Sequence, residues 1–398
     1  MNSSKNKKKV EKIYIISGNE HPSILKMATF LQNIFEEYDV SKFNMSSKNK
    51  IKYIVQSLGL LVKIRKNKVD IVIMLEPWYP SVPFLALRLF KAKIVYWSGN
   101  INYDILRTIG YSKVSVTFFK RMEESLIRKS SIIMSDSISF QEFFRDIASS
   151  VKTYYVPEYV LDGTKNLTAN LQSDVTSNNK YITNVNIGYI SSMQLERVGN
   201  SYLPRGWELV YVAKQMLELN VKNFKIIVIG AGSGLNELKH LAQIHEVISK
   251  FEFTGYVNDK EKLKILKTLT IGFCEDYKSY LTHRYNLGVK IQEYLQSRVP
   301  VVTGNQGDKG IIVGNNKCPC GICISPLDDF DNTDYKRYVS DITNAIMKII
   351  LNIDLHKHYA DCCIKISNKY FLSKTELELK IREIFKHELL LEGSDRYD

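Results

Sequence analysis

Three stretches of the chain carry residue types able to do chemistry. In Ile226-Ile227-Val228-Ile229-Gly230-Ala231-Gly232-Ser233-Gly234 an apolar run enters a glycine-rich turn that opens a helix, so backbone amides there could approach a phosphate. A dinucleotide fingerprint leaves two residues between its second and third glycines, whereas Gly232 and Gly234 are separated by one. A structural tight turn explains the run equally well. His21, in Ser17-Gly18-Asn19-Glu20-His21, is the one histidine near an expected strand end; it reads either as a proton-transfer group or as an ordinary surface residue. Cys318-Pro319-Cys320-Gly321-Ile322-Cys323, with Cys362-Cys363 later, lacks the paired spacing of a zinc site. Free thiols in a reducing cytosol, and no metal, are the expectation.

The elements that would position these residues alternate. Strand candidates Lys12–Gly18, Val69–Glu76, Lys93–Trp97, Ser131–Ser135 and Val151–Val156 are followed by a second series: Val185–Ile190, Lys225–Gly230, Phe251–Val257, Thr270–Phe273, Val299–Thr303 and Gly321–Ile324. Helical patterns lie between them; Ile24, Met27, Ala28, Leu31, Ile34 and Phe35 recur at helical spacing behind Pro22. Such alternation predicts α/β units around parallel sheets. A segment rich in Thr, Asn, Ser and Asp separates the two series and reads as a linker. The expected organisation is a first doubly wound domain over 1–165, a linker over 166–180, a second doubly wound domain over 181–363 and terminal helices over 364–398.

Composition narrows the classes. The 398 residues are 44% hydrophobic and 24% charged, which excludes global disorder and collagen-like chains. Six cysteines are too few for a disulfide-stapled scaffold. The basic start around Lys5–Lys9 is followed by a β-like stretch, so no secretory leader is expected, and no apolar run is long enough to span a bilayer. A cytoplasmic protein follows. The net charge of +13 suggests anionic partners, yet nothing resembles a helix-turn-helix, a zinc finger or an RNA-binding strand, so nucleic acid is not expected.

The run from Tyr285 to Thr303 reads as a loop, a short helix and a buried strand. Taken with Gly188, Arg205-Gly206, the Gly230–Gly232 turn and Phe253-Thr254-Gly255-Tyr256-Val257, it resembles the retaining GT-B glycosyltransferases, especially family four (group 1). The likeness covers about 181–330 well. It implies two Rossmann-like domains facing across a cleft, with the C-terminal one holding a nucleotide diphosphate sugar, UDP- or GDP-linked, and no further cofactor. By this resemblance Glu293 would accept the ribose hydroxyls. The amides of Leu287, Gly288 and Val289, at a helix N-terminus, would face the diphosphate. Gly288 would keep a side chain from holding the phosphate off. Arg205, where relatives usually have Lys, would neutralise the leaving diphosphate, with Lys290 as a second cation. Gly230 and Gly232 would line the site, and Gly255 and Val257 would present backbone groups to the base. Tyr285 stands where the family carries the first of two acidic residues. The Arg that usually follows the first donor-domain glycine is also missing; Arg197, in a long insertion over Met193–Pro204, is a candidate replacement.

Retention in this family implies front-face departure, with the leaving phosphate taking the acceptor proton, so no protein nucleophile is obligatory. The acceptor would be a glycan or a lipid-linked glycan, and the pathway the synthesis of surface polysaccharide or glycoconjugate. Aromatic loops Glu76-Pro77-Trp78-Tyr79-Pro80 and Trp97-Ser98-Gly99-Asn100 end strands of the first domain and read as sugar-stacking surfaces or as core packing. The stretch Ile51–Arg65 sets Ile51, Ile54, Val55, Leu58, Leu61 and Val62 on one face beside Lys52, Lys63 and Arg65. It predicts either a sheet-covering helix or peripheral contact with an anionic membrane. Two other readings stay open: a GT-B-like subunit without catalysis, suggested by Tyr285, and a nicotinamide-dependent oxidoreductase built on the Gly230–Gly234 turn.

Overall fold

The computed structural model describes residues 12–17, 22–44, 50–75, 92–108, 110–157, 182–198, 201–278, 280–328 and 332–390. They divide into two compact units. The first holds the described residues up to Arg107, Tyr111–Pro157 and those from Thr375 onward; the second holds most of the rest, up to Lys374.

The first unit is built on the parallel strands β1 (Lys12–Ser17), β2 (Asp39–Asn44), β3 (Ile71–Leu75), β4 (Lys93–Trp97), β5 (Ile132–Ser135) and β6 (Lys152–Tyr155), in the order β2-β1-β3-β4-β5-β6. Its helices are α1 (Pro22–Ile34), α2 (Lys50–Lys66), α3 (Asn102–Thr108), α4 (Lys113–Lys129) and α5 (Ser139–Ile147). β3 is buried along its whole length, as expected for a strand covered on both faces. β2 was not foreseen: Asp-Val-Ser-Lys-Phe-Asn is a polar edge strand with no buried position, so it lacks the apolar signal that marks the others.

The second unit repeats the plan with β7 (Val185–Ile190), β10 (Phe224–Ile229), β11 (Phe251–Gly255), β12 (Ile271–Cys274), β13 (Val301–Gly304) and β14 (Gly321–Ile324), all parallel, in the order β11-β10-β7-β12-β13-β14. An antiparallel hairpin, β8 (Leu195–Val198) with β9 (Ser201–Pro204), occupies the insertion after β7. The helices are α6 (Trp207–Glu218), α7 (Leu235–Ile244), α8 (Asp259–Leu266), α9 (Leu281–Tyr285), α10 (Val289–Gln296), α11 (Asn332–Ile350) and α12 (Ile353–Tyr370). Leu209, Val212 and Met216 of α6 share one core with Tyr338, Ile342 and Ile346 of α11 and with Ile187 and Phe273 of the sheet.

The helix expected to begin the return near residue 364 does not. α12 continues to Tyr370 within the second unit, and the return starts at Thr375 in α13 (Lys374–Phe385). There Phe385 packs on Phe35 with ring centroids 4.5 Å apart, Arg382 meets Glu37 at 2.7 Å, and Glu388 meets Lys152 at 2.8 Å.

The cysteine expectation is overturned in part. Cys318 and Cys362 form a disulfide, because the segment before β14 and the middle of α12 bring their Cα atoms to 5.3 Å. Cys274, Cys320, Cys323 and Cys363 are free thiols.

Candidate functional site

In the second sheet β7 pairs with β10 on one side and β12 on the other, so the strand order changes direction between β7 and β12. Open α/β sheets bind ligands outside the carboxyl ends of their strands at such a point. Ser191 and Ser192 follow β7 there, and Glu275 and Asp276 follow β12.

Arg205 emerges directly from β9 and turns into α6 through Gly206, whose φ of +83° is open to glycine and whose Cβ position lies 2.7 Å from the Tyr189 ring. Its guanidinium donates from Nε to Glu196 Oε1 at 2.6 Å and from a terminal nitrogen to Ser192 Oγ at 2.8 Å. Burial alone would lower this group, but the Glu196 and Glu275 carboxylates outweigh it and raise its pKa.

Lys290, second residue of α10, places Nζ 2.9 and 2.8 Å from the two carboxylate oxygens of Glu275 and 5.0 Å from the Tyr189 ring centroid. Burial pushes the Glu275 carboxyl up, yet the charges of Lys290 and Arg205 hold it at about 2. Burial pulls the Lys290 ammonium down, and Glu275 more than reverses it. Behind this pair Tyr277 donates its hydroxyl to the buried Glu208, whose carboxyl is pushed to about 8 by burial and then by the charge of Glu275. His283 accepts the Tyr277 N–H at Nδ1 (3.4 Å), and burial with the nearby Lys309 charge keeps its imidazole neutral. Asp276 pairs with Lys309 at 2.7 Å, both almost fully buried, and also accepts from Gln306 at 3.0 Å. That cluster ties the segments after β12 and β13 together.

Among the expected donor residues, Glu293 is buried on α10 one turn beyond Lys290, and Lys262 of α8 donates to its Oε1 at 2.6 Å. It is not a solvated helix glutamate. Leu287 is buried and Val289 is partly exposed at the head of the helix. The Gly288 amide donates to Asn286 Oδ1 at 2.6 Å, which leaves fewer of the expected amides for a diphosphate. Its glycine is explained by a φ of +80°; a Cβ there would meet open space. Tyr285 ends α9, half-buried, with Arg284 over its ring.

In the glycine-rich turn the glycines are required by packing. A Cβ on Gly230 would lie 1.8 Å from the Ser191 carbonyl oxygen and one on Gly232 2.1 Å from that of Met193. The Gly234 amide donates to Met193 at 2.8 Å, and the Gly230 amide to the Gly255 carbonyl at 2.9 Å. The chain leaving β7 packs directly against these glycines, which is what the tight-turn reading of the run requires. Gly255, at φ +69°, thus spends its carbonyl on the turn, and Val257 is half-buried just ahead of the Asn258 cap of α8. Arg197 lies in β8, but its side chain, like His21, the Lys5–Lys9 cluster, the Glu76–Pro80 loop and the 166–180 linker, lies outside the described residues.

Sequence reasoning missed Glu196, Glu208, Glu275, Asp276 and Lys309. The signal for Glu275-Asp276 was available: an acidic pair set immediately after the apolar run Ile271–Cys274, at a strand end.

With this geometry, residues 203–343 match the family model described as glycosyl transferases, group 1. No curated protein sequence matches the chain. Solved structures similar to it include Anabaena HepE in complex with UDP, at 12% identity and TM-score 0.64, with 95% of this chain and 100% of that one covered. Sucrose-phosphate synthase from Thermosynechococcus elongatus is similar at 11% identity and TM-score 0.64, covering 95% and 98%. S. aureus TarM, solved with UDP, fondaparinux and α-GlcNAc-glycerol, is similar at 14% identity and TM-score 0.56 over 82% of this chain; this chain spans 58% of its length. At these identities the likeness shows the fold.

Proposed function

Because residues 203–343 carry a group 1 glycosyltransferase domain in a chain with the GT-B fold, we propose that the protein transfers a sugar from a nucleotide diphosphate donor to a glycan or lipid-linked acceptor, with retention. One observation carries the reading. Two cations, Arg205 and Lys290, and the N-terminus of α10 gather at the carboxyl ends of β7 and β12, with Glu293 on the same helix. Such a set suits a diphosphate leaving group beside a ribose. The UDP bound in HepE and TarM supports uridine as the base, ahead of guanosine.

The chemistry is electrostatic. As the sugar–phosphate bond breaks, negative charge grows on the diphosphate, and fixed cations already in place stabilise it without reorganisation. Glu293 accepts the ribose hydroxyls while Lys262 holds its other side. Cationic side chains and the helix terminus supply the neutralising charge, so the proposed transfer is metal-independent. The acceptor belongs to the first domain, and the product to surface polysaccharide or glycoconjugate synthesis in the cytoplasm.

A membrane contact fits one further observation. Among the described side chains of α2, Leu60, Leu61 and Ile64 are buried; of the face read from the sequence Leu61 is therefore covered, while Val55, Leu58 and Val62 stand at 62%, 53% and 66% exposure beside Lys63, Arg65 and Lys66. An apolar stripe flanked by basic residues suits the anionic face of a bilayer. Sedimentation with phosphatidylglycerol vesicles should remove the protein from solution, and Leu58→Glu should keep it there.

The transfer reading is tested by incubating the protein with UDP- and GDP-sugars and following free UDP or GDP together with the anomeric proton resonance of the released or transferred sugar. The expected result is release from one nucleotide class with the anomeric configuration kept. Inversion would refute retention, and binding of NAD without turnover of any nucleotide sugar would refute the transferase.

A further inference from the structure

We propose that Glu275 is a positioning residue of the donor site, orienting and charging Lys290 for the diphosphate; the inference rests on the donor reading above. An ammonium has three N–H donors. Lys290 spends two on the Glu275 carboxylate, at 2.9 and 2.8 Å, so a single direction remains for a phosphate oxygen. The pair is held in place from several elements. Glu275 is the first residue beyond β12, and the Tyr189 ring beneath Lys290 packs against Phe273 of β12 with centroids 6.0 Å apart.

No neighbour can take over the role of Glu275. Burial and the positive charge of Arg205 both work against the Lys290 ammonium. Of the other groups that face it, Cys274 is held protonated by burial, Tyr189 is held neutral by burial, His283 is neutral, and Glu196 is already paired with Arg205. Without the Glu275 charge, the half-buried lysine would shed its proton as pH rises, and with it the charge that meets the diphosphate.

The test compares UDP with UMP by calorimetric titration of the full chain between roughly pH 6 and 9, where an ordinary exposed lysine stays charged. In the wild type the preference for UDP should be flat with pH. Lys290→Ala should reduce it about tenfold throughout, as loss of one charge-assisted contact would. Glu275→Gln, which keeps shape and removes charge, should match the wild type at the acid end and lose about tenfold at the alkaline end. Glu275→Asp should restore the flat profile. A Glu275→Gln profile parallel to the wild type, or a loss independent of pH, would overturn the positioning role. An unchanged preference in Lys290→Ala would instead overturn the donor role of Lys290 itself. Should Glu275→Gln fail to fold, a Glu275→Asp profile that loses UDP preference toward alkaline pH would also overturn the proposal, and a flat one would uphold it.

Discussion

Each unit buries a glutamate near the carboxyl end of a parallel strand, and the two have opposite partners. Glu123 of α4 accepts from the Tyr96 hydroxyl at 2.7 Å, the Asn102 amide groups at 3.1 and 2.8 Å and the Tyr103 N–H at 3.0 Å. All of these donors are neutral. They tie the end of β4 to the start of α3, and burial pushes the carboxyl up. Glu275 faces Lys290, with Arg205 nearby, and is held at about 2. A buried carboxylate satisfied by neutral donors fixes the backbone around it. One satisfied by cations holds those cations in place, which is what the proposed diphosphate site would need.

Substitutions should separate these roles, and the largest effect belongs to the first unit. Glu123→Ala strands the donors of Tyr96, Asn102 and Tyr103 in the core and should cost about 3–5 kcal/mol of stability, read by chemical denaturation. UDP affinity of the folded fraction should be unchanged. If UDP binding falls and stability does not, the contrast between the two glutamates fails.

Next in size is the pH dependence of the second unit. Glu208, at about 8 when folded, holds a proton that the unfolded chain releases near its ordinary carboxyl value. The native state therefore binds more protons between those values, and stability falls as pH rises through that window. The slope should approach about 1 kcal/mol per pH unit, and Glu208→Gln should flatten it. Glu275 has the opposite sign: its contribution is present above the ordinary carboxyl value and is lost as pH falls toward 2. A Glu208→Gln variant with the wild-type slope would remove Glu208 from the account.

The smallest effect distinguishes two glycines. Gly288→Ala meets no neighbour and pays only for φ +80°, about 1–2 kcal/mol in the unfolding free energy. Gly230→Ala also drives a Cβ into the Ser191 carbonyl and should be the worse of the two. Equal costs would mean that the chain after β7 yields at Gly230.

The parallel sheets were legible where their strands carry unbroken apolar runs, as in Ile71–Leu75 and Ile226-Ile227-Val228-Ile229. The polar edge strand Asp39–Asn44 and the hairpin over Leu195–Pro204 carry no such signal. At the site, the types and order of Arg205, Lys290 and Glu293 were readable along the chain. Their counterions were not, because Glu196, Glu275 and Lys262 reach them only through folding. The reason for the glycines of the turn was hidden in the same way: what lies against Gly230 and Gly232 is the segment after β7, about 40 residues earlier in the chain, which no local pattern reveals.

The central claim is that the strand ends of the second unit hold a nucleoside diphosphate. Calorimetric titration of UDP into the wild type, Arg205→Ala and Glu293→Ala tests it most directly. The account predicts saturable one-to-one binding, weakened about tenfold or more in the folded fraction of each variant. UDP binding of equal strength in all three proteins, or none in the wild type beside clear binding of NAD, would contradict it.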